Sequence, residues 1–114
     1  RCVLVTEFRR NLKRYQAEDV VIPIVATSTT AARHWTTPIG FLFIDGGHSL
    51  DAALADYRSW SSHLLRDGLL VIHDVFANAA DGGQAPNAIW QLAKQSGLFE
   101  EAGSFQSLRA LKRL

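Results

Sequence analysis

Two runs of apolar residues end in polar side chains and set the pattern of the chain. The runs are Phe41–Ile44 and Leu69–Ile72, and neither alternates with polar residues. Such a run predicts a strand buried on both faces, which is typical of parallel sheets. An acid and a histidine follow each run: Asp45 and His48 after the first, and His73 and Asp74 after the second. We therefore expect all four at the carboxyl edge of one sheet, where α/β folds bind ligands.

The residues between these runs predict a helix. Ser49 is a favourable N-cap, and a carboxylate in the first turn suits the positive end of the helix dipole. Apolar residues at helical spacing extend the predicted helix to about Leu65. Gly68 then suits a left-handed turn that ends the helix. A strand, a helix and a second strand joined by short loops predict a right-handed crossover between two parallel strands.

The N-terminal third predicts further elements. Residues 2–6 form a short apolar run that could be a strand, and residues 7–16 have helical spacing. Val20–Val25 is rich in β-branched residues and predicts a strand. Pro23 cannot donate to a ladder, so this strand is expected at a sheet edge or with a bulge. Residues 27–35 predict a short capped helix.

The C-terminal third predicts a loop, a helix and a hairpin. Residues 77–86 form the longest predicted loop, either a cover for a ligand or a flexible connector. A helix is expected over residues 87–96, capped by its first residue, an asparagine, and ended by Gly97. Residues 98–102 and 107–111 predict two antiparallel strands joined through a turn at the intervening Gly-Ser pair.

Composition narrows the class of protein. At 114 residues, with 47% apolar and 20% charged residues, the chain is expected to form one soluble globular domain spanning residues 1–114. Its single cysteine, Cys2, excludes an internal disulfide and fits a reducing compartment, so we expect a cytoplasmic location. The net charge of +1 gives no argument for a nucleic-acid partner or an acidic membrane. No apolar run approaches the roughly 20 residues of a membrane span. The sequence contains no methionine, so we expect the chain to be a piece of a longer protein.

The polar residues at the strand ends suit metal or acid–base chemistry. Two carboxylates and one imidazole, from Asp45, Asp74 and His73, would make an open divalent-cation site. His48 follows the first acid beyond a double glycine, where an imidazole could act as a general base. The alternative is that the acids cap helices and His73 is a core histidine. Because an acid and a histidine follow both consecutive strands, we favour a functional site over this structural alternative.

Three blocks of the sequence resemble one enzyme family. The blocks are Phe41–Ser49, Asp56–Trp60 and Asp67–Val75. Together they look like the second half of a class I S-adenosylmethionine-dependent methyltransferase. The closest subgroup is that of small bacterial enzymes with Asp-Gly-x-His after the fourth strand. The resemblance covers about residues 7 to 112. It implies an α/β fold, a Rossmann-like three-layer sandwich with a mainly parallel sheet and an antiparallel C-terminal hairpin.

The resemblance also implies roles for the candidate residues. In similar enzymes the acid that ends the fourth strand lies beside the methionine part of S-adenosylmethionine, and Asp45 is the matching residue here. The resemblance therefore implies that Asp45, Gly46 and Ser28 contact the cofactor. A divalent cation, Mg²⁺ or Mn²⁺, would be held by Asp45 and Asp74, with His73 where the family often has an acid. His48 would deprotonate a hydroxyl of a small-molecule acceptor, a sugar or natural product.

The family's first strand and its Gly-x-Gly-x-Gly loop are not in this sequence. That strand is normally central, so the resemblance implies a gap in the sheet and an N-terminally incomplete domain. Upstream residues, a rearrangement or a homodimer would have to close the gap. The alternative function is a non-catalytic remnant of the fold that acts in self-association or partner binding.

Overall fold

The computed structural model describes residues 3–47 and 49–114 as an α/β fold. Two helices precede the first strand. The elements in chain order are α1 (Val3–Arg14), α2 (Ser28–Arg33), β1 (Ile39–Ile44), α3 (Leu50–Trp60), β2 (Leu64–Ile72), α4 (Ala85–Gln95), β3 (Phe99–Phe105) and β4 (Leu108–Arg113). A single 3₁₀ turn, Ser61–His63, joins α3 to β2. None of the helices in the described ranges is both long and apolar enough to cross a membrane.

The four strands form one mixed sheet in the order β1-β2-β4-β3. β1 and β2 are parallel, with Phe43 opposite Val71, as the strand–helix–strand pattern predicts. β4 is antiparallel to both β2 and β3, so the C-terminal hairpin is confirmed. Its turn lies at Gln106, whose φ is 52°, rather than at Gly103. Gly103 lies at a register shift within β3 instead.

One hydrophobic core lies between the sheet and helices α3 and α4. Residues from both layers contribute to it: Ile44, Ala53, Tyr57, Leu64, Leu70, Ile72, Val75, Ala85, Ile89, Ala93, Phe99 and Leu111. Leu70 and Leu111 are opposite one another on β2 and β4 and are fully buried. Because side chains alternate along a strand, every second residue of β1, β2 and β4 faces away from this core.

The prediction that Phe41–Ile44 is buried on both faces is wrong. Phe41 is 60% exposed and Phe43 is 49% exposed, whereas Ile44 is buried. Leu42 packs against the core on the side of α3 and α4, so the two phenylalanines lie on the opposite face of the sheet. The described core does not extend to that face, which leaves both rings exposed.

Helix α3 begins where predicted but ends earlier than predicted. Ser49 caps α3 as expected, because its Oγ accepts a hydrogen bond from the N–H of Ala52 at 3.1 Å. The helix, however, ends at Trp60 rather than at about Leu65. Asp67, with φ of 68°, adopts the left-handed conformation predicted for Gly68.

The N-terminal segment contains helix where a strand was predicted. Residues 3–6 belong to α1, so the strand prediction over residues 2–6 is wrong for the described part. Val20–Val25 forms no strand either, because none of the strands in the described sheet lies beside it. Val20 and Ile22 are 83% and 78% exposed.

The remaining helix ends agree more closely with prediction. Thr27 caps α2 by accepting a hydrogen bond from the N–H of Thr30. α4 begins at Ala85, with Pro86 in its first turn, so the predicted cap residue Asn87 lies inside the helix. Proline is favoured there because the first helical N–H groups have no acceptor within the helix. Gly97 follows α4 with φ of +79°, as predicted.

Candidate functional site

The carboxyl ends of β1 and β2 bring three candidate ligands together. Asp45 directly follows β1, and His73 and Asp74 directly follow β2. The N–H of His73 donates to the carbonyl oxygen of Ile44 at 3.1 Å, which continues the β1–β2 ladder to the strand ends. Asp74 has φ of 61°, so the chain turns sharply after His73. We name Asp45, His73 and Asp74 the strand-end triad.

Within the strand-end triad the imidazole lies between the two carboxylates. Nδ1 of His73 is 2.9 Å from Oδ1 of Asp45 and 3.2 Å from Oδ2 of Asp74. Since ionised carboxylates only accept hydrogen bonds, Nδ1 carries the hydrogen and Nε2 is left for another partner. All three side chains are partly exposed, so solutes can reach them.

The donor set of the strand-end triad fits a divalent cation. One ligand atom from each residue can be chosen so that all three lie within 4.8 Å of one another. Two carboxylate oxygens suit Mg²⁺ or Mn²⁺, and the imidazole shifts the preference toward Mn²⁺. Three protein ligands leave positions for water or a substrate oxygen.

A second feature is an open groove along the free edge of β1, which we name the β1 groove. Its volume is about 590 Å³ and its lining is mostly apolar. β1 forms one wall, and the rest comes from the start of α2, from α3, from Trp35 after α2 and from the two residues that follow β1. The lining residues outside β1 are Ser28, Trp35, Asp45, Gly46, Asp56 and Trp60. Its size falls in the range of pockets that hold small ligands.

Two tryptophans fix the helix side of the β1 groove. The rings of Trp35 and Trp60 meet edge to face, with centroids 5.3 Å apart. Nε1 of Trp60 donates a hydrogen bond to Oγ of Ser28 at 2.7 Å, which ties α3 to the start of α2. Nε1 of Trp35 donates to the carbonyl oxygen of Thr37 at 2.6 Å. Both indole N–H groups are therefore satisfied, and the apolar ring faces line the groove.

The structure brings the three predicted cofactor contacts, Ser28, Asp45 and Gly46, around the β1 groove. Asp45 and Gly46 also line the small cleft that contains His73 and Asp74. The groove and the strand-end triad thus share Asp45. The assigned roles of these residues stay predictions, and His48, the predicted base, lies outside the described residues.

Sequence reasoning gave no role to three groove residues, Trp35, Asp56 and Trp60. Asp56 and Trp60 are four residues apart on α3 and therefore lie on one face of that helix. A Cβ at Gly46 would lie 2.7 Å from Oδ2 of Asp56, so the glycine is what lets this carboxylate approach. Both residues belong to a block that carries the family resemblance, and this was the available signal.

Comparison with known proteins shows the family and the fold of the chain. The family model described as a methyltransferase domain matches residues 4–75. A candidate caffeoyl-CoA O-methyltransferase from Staphylococcus aureus superposes on 99% of the chain with a TM-score of 0.77 and 12% sequence identity. A candidate methyltransferase from Streptococcus mutans, crystallised with S-adenosylhomocysteine (SAH), covers 96% of the chain with a TM-score of 0.68 and 14% identity.

A third similar structure is a candidate rRNA methylase from Clostridium thermocellum, with a TM-score of 0.70, 11% identity and 100% of this chain covered. The chain spans 60% of the Staphylococcus aureus protein, 70% of the Streptococcus mutans protein and 72% of the Clostridium thermocellum protein. The fold is therefore shared over almost the whole chain but corresponds to only part of each similar structure.

Proposed function

Because the chain belongs to the family of methyltransferase domains, we propose that it acts in methyl transfer from S-adenosylmethionine to a hydroxyl oxygen of a small molecule, such as a sugar or natural product. The single observation that carries this proposal is the position of Asp45. One carboxylate lies both at the end of the β1 groove and in the strand-end triad. A cofactor at that end of the groove would present its methyl group next to the triad.

The groove supports the cofactor part of the proposal. Its apolar lining and the aromatic faces of Trp35 and Trp60 suit a flat heteroaromatic ring, and Ser28 and Asp45 supply polar contacts at its rim. The Ser28 oxygen already accepts from Trp60, so its own O–H hydrogen remains to be donated to a ligand. The Streptococcus mutans protein was crystallised with SAH, the product that S-adenosylmethionine becomes after it gives up its methyl group, which supports this choice of cofactor.

The reaction is a displacement at carbon. The acceptor oxygen forms a bond to the methyl carbon of S-adenosylmethionine while the bond from that carbon to the sulfonium sulfur breaks. The sulfur keeps the electron pair and leaves as SAH. The proton of the hydroxyl must go to a base, and His48 is the residue we propose for it.

The strand-end triad supports the acceptor part of the proposal. Asp45 and Asp74 would hold a divalent cation, and His73 would be either a third ligand or the group that orients Asp45. Such a cation supplies Lewis acidity, which lowers the pKa of a hydroxyl that it contacts. Without it, Nδ1 of His73 still donates to Asp45 and holds that carboxylate in place.

Isothermal titration calorimetry of the chain with S-adenosylmethionine, and separately with SAH, tests the proposal. We expect a dissociation constant below about 1 mM, which corresponds to a binding free energy of about −4 kcal/mol. Asp45→Asn should weaken binding, whereas Asp81→Asn, in the exposed loop after β2, should not. Absence of binding heat from a chain that is folded by circular dichroism would reject the enzymatic function for this chain.

A further inference from the structure

A cluster of cationic and aromatic side chains lies where α4 meets β4, in the half of the sheet away from β1. It consists of Trp90 and Lys94 on α4 and Arg109 on β4, and we name it the Trp90 cluster. Nζ of Lys94 is 3.5 Å from the centroid of the Trp90 ring, and Cζ of Arg109 is 5.3 Å from that centroid. Both cations therefore lie within the range of a cation–π contact with one indole.

Two regular elements bring these side chains together. Lys94 is four residues after Trp90, and residues at that spacing lie on one face of a helix. Trp90 packs against the core between α4 and the sheet. Arg109 and the buried Leu111 are two residues apart on β4, so both side chains lie on the helix side of the sheet.

The guanidinium of Arg109 is held in place by the turn between β3 and β4. Its Nη1 donates to the carbonyl oxygen of Gln106 at 2.6 Å and to that of Leu108 at 2.9 Å. These bonds use both hydrogens of Nη1, so Nε and Nη2 are left without an acceptor among the described residues. That edge of a guanidinium carries parallel N–H groups, which bind an oxyanion in bidentate fashion.

No acidic residue of α4 or β4 balances the charges of the Trp90 cluster, because neither element contains one. The residues opposite Arg109 on the neighbouring strands are Ile72 and Ser104, and both are uncharged. Within the described ranges, neither Lys94 nor Arg109 forms an ion pair. Like charges gathered at one indole repel each other, and a bound anion would remove this repulsion.

Trp90 contributes an unpaired donor of its own. Nε1 of Trp35 donates to Thr37 and Nε1 of Trp60 donates to Ser28, whereas Nε1 of Trp90 has no acceptor in the part of the chain that the structure describes. This nitrogen is open to solvent, because the described side-chain atoms that are buried without a partner do not include it. The cluster thus presents ammonium, guanidinium and indole N–H donors.

We propose that the Trp90 cluster is a binding site for a phosphate group. A phosphate carries more than one negative charge near neutral pH and several acceptor oxygens, which matches the charges of Lys94 and Arg109 and the free indole N–H. A carboxylate has a single charge, and Arg109 alone could satisfy it. The cluster shares no residue with the β1 groove or with the cleft of the strand-end triad, so the site does not depend on the proposed function.

NMR spectroscopy of the isotope-labelled chain tests the site, with inorganic phosphate and glycerol phosphate as probes at constant ionic strength. Each tryptophan gives one indole N–H signal, and the signal that Trp90→Phe removes is that of Trp90. We expect this signal to shift saturably, with a dissociation constant below about 10 mM, while those of Trp35 and Trp60 stay in place. Tighter binding of glycerol phosphate would identify a phosphate ester as the ligand, and equal binding would identify the free ion.

Lys94→Gln is the informative variant, because Lys94 makes no hydrogen bond within the described residues that the fold could lose. It should raise the dissociation constant for phosphate about tenfold, the loss expected for one charge-assisted hydrogen bond. Arg109→Lys keeps the charge but removes the bidentate edge, so it should weaken binding as well.

Lys112→Gln is the matched control. It removes the same charge from β4, but Lys112 follows the buried Leu111 and therefore lies on the other face of the sheet. Its phosphate affinity should equal that of the wild type. A Trp90 signal that does not shift saturably, equal shifts of all the indole signals, or equal weakening by Lys94→Gln and Lys112→Gln would overturn the site.

Discussion

Nδ1 of His73 donates to Oδ1 of Asp45 at 2.9 Å, across 28 residues of sequence. The contact follows from the parallel pairing of β1 and β2, which places Ile44 opposite Ile72 and therefore sets the next residues side by side. Asp74 completes the strand-end triad from the left-handed turn that follows. The triad is thus positioned by backbone geometry, before any ligand binds.

Divalent-cation binding should depend on Asp74. Asp74→Asn removes the charge but keeps the shape, and asparagine tolerates the left-handed conformation at φ of 61°. We expect the affinity for Mn²⁺ to fall at least about tenfold, which corresponds to about 1.4 kcal/mol. Titration calorimetry with Mn²⁺, or electron paramagnetic resonance of the free ion, measures this directly.

Asp81→Asn is the control for the cation measurement, because it removes the same charge from the loop between β2 and α4. Its Mn²⁺ affinity should equal that of the wild type. Equal affinities for the wild type and Asp74→Asn would show that the triad does not hold the ion. Mg²⁺ should bind more weakly than Mn²⁺ at the same site, since imidazole is a poorer ligand for it.

Gly68 should tolerate no side chain. A Cβ at this position would lie 2.9 Å from the carbonyl oxygen of Leu65 and 3.0 Å from that of Gly40. Both contacts are to backbone, which cannot rotate away, so Gly68→Ala should lower the free energy of unfolding by about 1–3 kcal/mol. Urea denaturation followed by circular dichroism gives the value.

Gly40→Ala provides the comparison for Gly68→Ala on the neighbouring strand. A Cβ at Gly40 meets nothing within 4 Å. Alanine in a strand also costs less conformational entropy than glycine, so the variant should be neutral or slightly more stable. Equal losses at both positions would mean that the close approach at Gly68 is not what determines stability.

The sequence predicted the strand-end triad better than it predicted the N-terminal elements. Continuous apolar runs predicted β1 and β2, and their parallel pairing alone brought Asp45 to His73. The exposure of Phe41 could not be predicted, since an apolar run does not reveal whether the core covers one face of a sheet or both. Val20–Val25 has strand propensity, but none of the described strands lies beside it, and propensity without pairing forms no sheet.

The segment after α3 shows the same limit. Gly68 was predicted to end this helix in a left-handed conformation, but α3 ends at Trp60 and both Asp67 and Gly68 lie within β2. There Asp67 has the left-handed conformation, and Gly68 packs closely against the carbonyl groups of Leu65 and Gly40. Such tertiary contacts are not visible in local sequence.

Tyr57 should make stability depend on pH above neutrality. Burial in the core raises the pKa of Tyr57 above its ordinary value of 10.0, and a hydrogen bond with Ser96 and the charge of Arg113 oppose this only in part. The folded state therefore binds the phenol proton more tightly than the unfolded state does. Stability from this group is complete below pH 10.0 and is lost as pH rises through the folded-state pKa.

Tyr57→Phe removes this titration and keeps the ring that packs beside Phe99 at a centroid distance of 6.5 Å. Urea unfolding between pH 8 and about 11 should show a smaller loss of stability for Tyr57→Phe than for the wild type. Tyr15→Phe is the matched control, because that ring is 70% exposed, and it should keep the wild-type dependence. Parallel curves for the wild type and Tyr57→Phe would contradict the raised pKa.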